Sequence, residues 1–335
     1  MKRLVNILSL SLIAIILLGA CSETKTTKPN SKGKTLEMMV VTNNNEQWNG
    51  SIGRQIKEFF GQEQLGLPQV EPLFTFFHLP EDALLDMYKA NRDILIVDIN
   101  SSFQKGQIET RKDHWAAPQR VIKITAPDLE SFTEVFEENK YRMLELYHDV
   151  ERIRIQRAFK SVQNAKIKQA LNKNFDINMV FPSNFKIAKM DSTFIWLRNE
   201  TLKDSQGVMI YIEDYTDMNQ LDHRNILRKR NQITRRYIPG PSNGSYMKVA
   251  DEFIQPVAKD ISLNGLFAVE IRALWDVKND FMGGPFLSYT LVDEERNRTI
   301  TIDSYVYAPK DRKKILVKQL EAIAYTFEIL KEEVE

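Results

Sequence analysis

Between Pro127 and Pro182 the chain contains neither proline nor glycine. Those two residues cost a helix interior about 3 and about 1 kcal/mol respectively, so their joint absence over so long a stretch constrains the fold more than any other feature. Pro127-Asp128-Leu129-Glu130 supplies an N-terminal helix signal, with acid at the positive end of the helix dipole. Phe132, Phe136, Met143, Leu146, Val150 and Ile153 follow three-four spacing, with Asn139 the one polar residue in the series. A long helix is predicted. A helix lying across a sheet and a self-associating coiled coil both fit the pattern. Past Glu151 the segment turns basic at Arg152, Arg154, Arg157, Lys160, Lys166, Lys168 and Lys173, which reads as a solvated face or as a contact for anionic lipid.

Short apolar runs alternate with helical patterns on both sides of this helix. Before it, strands are expected at Leu36 to Thr42, Leu73 to Leu79, Ile94 to Ile99 and Val121 to Thr125. A helix from Gly50 to Phe60 carries its stripe on Ile52, Ile56, Phe59 and Phe60, and another is expected from Pro80 with Glu81 and Asp82 in its first turn. After it, Ile177 to Phe181, Phe185 to Ala188, Thr193 to Leu197 and Val208 to Ile212 read as strands, followed by a basic helix from Asp217 to Arg236. Leu263 to Trp275, Phe286 to Val292 and Thr299 to Tyr307 read as further strands, and Lys310 to Lys331 as a closing helix. The expected fold class is α+β: two α/β sandwich domains, 36–174 and 175–335, with mainly antiparallel sheets, joined by the long helix. Both halves end alike, Val121 to Asp128 and Ser304 to Asp311 each running strand, Ala-Pro, then helix. Internal duplication and convergence on a common helix start both explain that.

The N-terminus carries an address. Lys2 and Arg3 precede an apolar run from Leu4 to Leu18, shorter than the roughly 20 residues a membrane-spanning helix needs. Leu18-Gly19-Ala20-Cys21 resembles a lipobox, which implies cleavage after Ala20 and lipid on the Cys21 sulfur. Cys21 is the only cysteine, so disulfides and cysteine-ligated metal are excluded. Residues 1–20 thus read as a signal peptide and 21–35, which hold no large apolar residue, as a flexible tether. With Ser22 after the cysteine, the expected location is the outer membrane, facing the periplasm. Without Lys2 and Arg3 the basic and acidic counts, 46 and 45 in the whole chain, nearly cancel, which argues against nucleic acid as a partner. His78, His114, His148 and His223 show no metal-ligand spacing, and no cofactor motif is present.

LPQVEPLF at Leu67 to Phe74, YIPGPSNGSYM at Tyr237 to Met247, EIRALWDVKNDFMGGPF at Glu270 to Phe286, VYAP at Val306 and LEAIAYTFEI at Leu320 are particular segments. Together they resemble an uncharacterised lipoprotein family of Bacteroidetes-type bacteria, domain of unknown function 4837, across the whole mature chain. The resemblance implies an envelope protein and no established activity. The layout of the second half is also similar to the Mog1/PsbP-like sandwich, which implies a fold used mostly for binding and assembly.

Two segments carry the candidate ligand residues. In the first, Ser242, Asn243 and Ser245 lie in a glycine-proline turn just after Arg235 and Arg236, a composition that makes either a structural loop or an anion cradle. The second holds Glu270 and Arg272, which share a strand face and can pair, with Trp275 and Asp276 beyond. The leading expectation is a non-catalytic envelope lipoprotein that binds a partner protein or an anionic ligand. An envelope hydrolase using Glu270, Asp276 or His114 for proton transfer is the alternative, and a periplasmic lipid-binding protein the third. Nothing designates a nucleophile.

Overall fold

The computed structural model describes residues 28–252 and 254–331. The predicted signal segment, Cys21 and the first part of the predicted tether lie outside the described residues. The rest of that tether is not free. Asn30 bridges to Ala117 and Lys32 to Asn91, while Arg92 donates to Lys32 O and Thr35 Oγ1, each at 3.3 Å. The chain is therefore held to the first sheet-rich region before Leu36.

The first half comprises β1 (Glu37–Thr42), α1 (Asn45–Asn49), α2 (Ser51–Phe60), β2 (Thr75–Pro80), β3 (Asp93–Ile99), β4 (Gln107–Lys112), β5 (Arg120–Ala126) and α3 (Leu129–Ser161). Its sheet has the order β2-β1-β3-β5-β4, with β4 antiparallel and the other pairings parallel. Ile52, Ile56 and Phe60 of α2 join Phe132, Phe136, Met143 and Tyr147 of α3 in a core on one face. The helix expected from Pro80 is replaced by two 3-10 turns, Glu81–Ala83 and Asp86–Tyr88. In this connection Leu84 and Tyr88 pack against Met39, Val41, Ile94 and Val121 on the second face of the sheet.

The stretch without proline or glycine forms two helices instead of one. Asn164 ends the run by capping α4 (Ala165–Phe175), its side chain accepting from Lys166 N and Ile167 N. Ile167, Leu171 and Phe175 of α4 belong to the second core, and Phe159 near the end of α3 already packs against it, so that core begins upstream of residue 174. The basic run is divided too. Arg157, Lys160, Lys166, Lys168 and Lys173 are exposed, whereas Arg152 is buried.

Next come β6 (Ile177–Asn178), β7 (Lys186–Met190), β8 (Phe194–Glu200), β9 (Ser205–Asp214), α5 (His223–Tyr237), β10 (Tyr246–Ala250), β11 (Val257–Leu263), β12 (Leu266–Lys278), β13 (Gly283–Asp293), β14 (Arg298–Tyr307), α6 (Lys314–Ala324) and β15 (Glu328–Ile329). The large sheet runs β10-β12-β13-β14-β9-β8-β7, with β11 also on β12, and every pairing is antiparallel. Helices α4 and α6 supply one of its cores, and α5 lies with the other. The strand expected at Leu263 to Trp275 is β12, which begins at Leu266 after a turn at Asn264 and Gly265, with φ of 51° and 89°, that joins it to β11. The closing helix is shorter than expected, because Phe327 enters the core and Glu328–Ile329 pairs with Ile177–Asn178. The fold is α+β with a long helix between two sheet-rich regions. The similar endings of the halves are local, since β5 has a parallel neighbour and β14 has none.

The halves dock through α3 and α6 and through the loop that holds LPQVEPLF. Leu67 belongs to the second core and Phe74 to the first. Between them the buried Glu71 carboxylate accepts from Lys313 N (2.7 Å) and Lys314 N (3.2 Å), capping the start of α6 from the other half of the molecule.

Candidate functional site

Side chains alternate along β12, so the predicted Glu270 to Phe286 segment serves two separate surfaces. Glu270 and Arg272 face α6, whereas Ile271, Ala273, Trp275 and Val277 face the α5 side.

On the first surface a cleft of 810 Å³ opens between the halves, walled by α3, the β11–β12 hairpin and α6. Its floor is a charge network centred on Glu321. Oε1 accepts from Arg152 Nη1 (3.0 Å) and Lys318 Nζ (2.7 Å), and Oε2 from Arg272 Nη2 (3.0 Å). Arg272 also grips Glu270 through two bonds of 2.7 and 3.0 Å, the pairing expected from their spacing. Burial by itself would raise the Glu321 pKa, but Lys318, Arg272 and Arg152 hold it well below the ordinary carboxylate value. Arg152 stacks on Tyr325 at 4.2 Å.

His148 completes the floor, its Nδ1 accepting from Lys318 Nζ at 3.2 Å, which leaves the ring proton on Nε2. Burial, then the charge of Lys318, holds its pKa well below 6.5. The folded protein thus keeps His148 neutral where the unfolded chain protonates it. Stability present above about pH 6.5 is therefore lost as the pH falls, at up to about 1.4 kcal/mol per pH unit. His148→Gln retains an acceptor for Lys318 and does not titrate, so it is expected to flatten the fall in urea midpoint between about pH 7.5 and 5.5 relative to the unsubstituted chain.

On the second surface a groove of 570 Å³ joins the Ile238 to Pro241 turn to Trp275. Trp196, Met247, Val277, Met282, Tyr305 and Tyr307 complete an apolar lining. The rings are fixed by hydrogen bonds, Trp275 Nε1 donating to Val306 O (3.2 Å) and Trp196 Nε1 to Tyr305 Oη (3.1 Å). Gly207 permits this arrangement, because a Cβ there would overlap the Tyr305 ring. Trp275 is only 2% exposed and forms a wall instead of the open stacking platform a sugar needs.

Of the two readings of the turn after Arg235 and Arg236, its hydrogen bonds fit the structural loop. Ser245 Oγ donates to Ser242 O (2.6 Å) and accepts from Ser242 N (3.1 Å), while Ser242 Oγ donates to the Asp280 carboxylate (2.6 Å). Asn243 stands exposed beside Gly244, whose φ is 74°. The turn spends its hydroxyls on itself and presents a carboxylate. Arg235 and Arg236 are exposed and lie over the rings of Tyr246 and Tyr237. The hydrolase candidates do not converge. Glu270 is held by Arg272, Asp276 pairs with Lys248 at 3.2 Å, and His114 belongs to the first half beside Arg111.

Sequence reasoning missed His148, Arg152, Lys318 and Glu321 in the cleft and Trp196 and Tyr305 in the groove. The available signal for the cleft was Lys318 and Glu321, an i,i+3 pair beside the apolar stripe of α6.

Residues 164–326 match the family described as a domain of unknown function, DUF4837. Residues 31–160 match a different one, DUF8532. The resemblance expected over the whole mature chain is thus confined to the second half. No curated protein matches the chain. Among solved structures, the Ran-binding protein Mog1p of Saccharomyces cerevisiae is similar at 11% identity, covering 47% of this chain and 91% of that one, with a TM-score of 0.33. LpqN, involved in cell envelope biogenesis of Mycobacterium tuberculosis, is similar at 13% identity, covering 46% and 83%, with a TM-score of 0.29. Likenesses this distant say nothing of what this chain binds.

Proposed function

We propose that the chain is a lipid-anchored protein of the bacterial envelope, and that its second half binds an apolar or amphiphilic ligand in the groove between Trp196, Trp275 and the Ile238 to Pro241 turn. The observation that carries this reading is the groove itself, a preformed concavity whose rings are locked and whose walls are apolar below a polar rim at Arg198, Glu200, Thr201 and Lys203 to Ser205. At its mouth Arg198 pairs with Glu200 and Asp204 accepts from Thr201, while Lys203 is exposed to solvent. Binding, not proton transfer, is what such a lining does well. An environment-sensitive fatty acid titrated into the full chain tests it. Met282→Glu puts a carboxylate in the lining at a half-buried position and is expected to weaken binding at least about tenfold, about 1.4 kcal/mol, with the unfolding midpoint little changed. Equal affinity for both proteins would remove the groove from the proposal.

The envelope address rests on Cys21 and the segment before it. Between Cys21 and Lys28 the chain reaches at most about 25 Å, so the first domain works close to the bilayer. Cys21→Ala is expected to move the protein from the membrane fraction to the soluble fraction after a salt wash and to abolish incorporation of labelled fatty acid. Retention on the membrane would count against the anchor.

A further inference from the structure

The strand register brings three connections to one end of the second sheet. Glu200 pairs with Ser205, Ser205 with Tyr307, Asp276 with Gly283, and Lys278 with Tyr246, so residues 201–204, 279–282 and 240–245 all emerge together at the mouth of the groove. Two of these tips each end in a large apolar side chain. Leu202 and Phe281 are 107% and 105% exposed, the most open large hydrophobic side chains among the described residues. Both stand beside the groove, since Leu202 and Met282 are among its lining residues.

The surrounding charge is predominantly positive. On the edge strand β7, Lys186 lies opposite Arg198 and Lys189 opposite Trp196, which places both lysines on the groove face of the sheet. Lys189 lies over the Tyr237 ring at 4.8 Å, beside Arg236 over the same ring at 4.9 Å. Lys203 and Lys278 flank the two apolar tips and are exposed. Five carboxylates stand among them, Asp191 accepting from Tyr237 Oη, Asp280 from Ser242 Oγ, Asp204 from Thr201 Oγ1, Glu200 pairing with Arg198 and Asp276 with Lys248, and the basic side chains Lys186, Lys189, Arg198, Lys203, Arg235, Arg236, Lys248 and Lys278 outnumber them.

We infer that this end of the second domain docks on an anionic lipid surface, with Leu202 and Phe281 entering the headgroup region and the basic residues around them meeting the lipid phosphates. The inference deepens the groove reading and rests on it for one step, that the groove receives its acyl chain directly from the bilayer. Two apolar tips within a basic collar are the elements of interfacial binding. The edge strand itself, with exposed lysines along it, resists pairing with another chain, which favours lipid over a strand-adding protein partner.

The test uses Leu202→Cys and Phe281→Cys in the full chain, with Met87→Cys, an exposed apolar position in the first half, as comparison. Each is labelled with an environment-sensitive fluorophore and mixed with vesicles containing about 30 mol % phosphatidylglycerol or none, with nitroxide-bearing lipid as quencher, and the signal of the unsubstituted chain is subtracted. Labels at 202 and 281 are expected to be quenched at least about twofold more than the label at 87 on anionic vesicles, and to lose that excess at about 0.5 M salt or on neutral vesicles. Equal quenching at all three positions, or none at 202 and 281, overturns docking. If fatty acid still binds while those labels stay unquenched, the groove reading survives and docking alone falls. Quenched labels on a chain whose groove takes no fatty acid would uphold docking and remove the groove.

Discussion

Glu321→Ala is expected to destabilise the protein by about 3–5 kcal/mol, because it leaves Arg152, Arg272 and Lys318 facing one another in a largely buried site without their shared carboxylate. Thermal unfolding is expected to lose its single transition. Arg152 belongs to α3, Arg272 to β12, and Lys318 and Glu321 to α6, so the network ties the first half to the second. With that tie gone, the halves are held by the Glu71 cap, the Leu67 contact, Ile315 packed on the first core, and bonds such as Gln156 Nε2 to Ala322 O (3.0 Å) and Lys313 Nζ to Gln69 Oε1 (2.7 Å). Glu321→Gln keeps the volume and two of the acceptor positions and is expected to cost less, about 1–3 kcal/mol. A single unshifted transition for Glu321→Ala would mean that the network contributes nothing to docking.

Asp303→Ala is the second substitution with a large expected effect. Arg230 of α5 donates to Asp303 of β14 at 2.8 Å, and neither side chain is exposed at all. The guanidinium also lies over the Phe286 ring at 3.7 Å. Burial pushes the Asp303 carboxyl up, and Arg230 offsets part of that shift. Removing the carboxylate leaves a buried cation unpaired, at a cost of about 3–5 kcal/mol in urea unfolding. Replacing both partners, Arg230→Met with Asp303→Leu, is expected to recover most of the loss, since an ion pair this deep gains little over apolar packing. The pair anchors α5, from which the Ile238 to Pro241 turn continues, so Asp303→Ala is also expected to weaken fatty-acid binding while the protein remains folded. Unchanged stability in the single variant would show that the pair is not charged in the folded protein.

Local pattern reached some of these elements and not others. The absence of proline and glycine after Pro127 marked out the helical stretch, but its division at Asn164 depends on a single capping side chain. Period-two alternation placed Glu270 and Arg272 on one face and made their pairing legible. The same alternation put Trp275 on the opposite face, so residues read together as one site belong to two. Strand β4 was missed because Gln107 to Lys112 is an edge strand with one apolar residue, Ile108. The cleft was illegible for a different reason. His148 and Arg152 lie more than 160 positions from Lys318 and Glu321 in the chain, and only the docking of α3 on α6 brings them together. Spacing cannot announce a site whose members meet through tertiary packing.

The groove reading is tested most directly by mapping where a photoactivatable fatty acid attaches to the full chain. Peptides covering 196–205, 238–247 and 275–282 are expected to carry the label, and excess unlabelled fatty acid to remove it. Label confined to the cleft peptides 141–152 and 257–265, or spread without preference along the chain, would contradict the assignment.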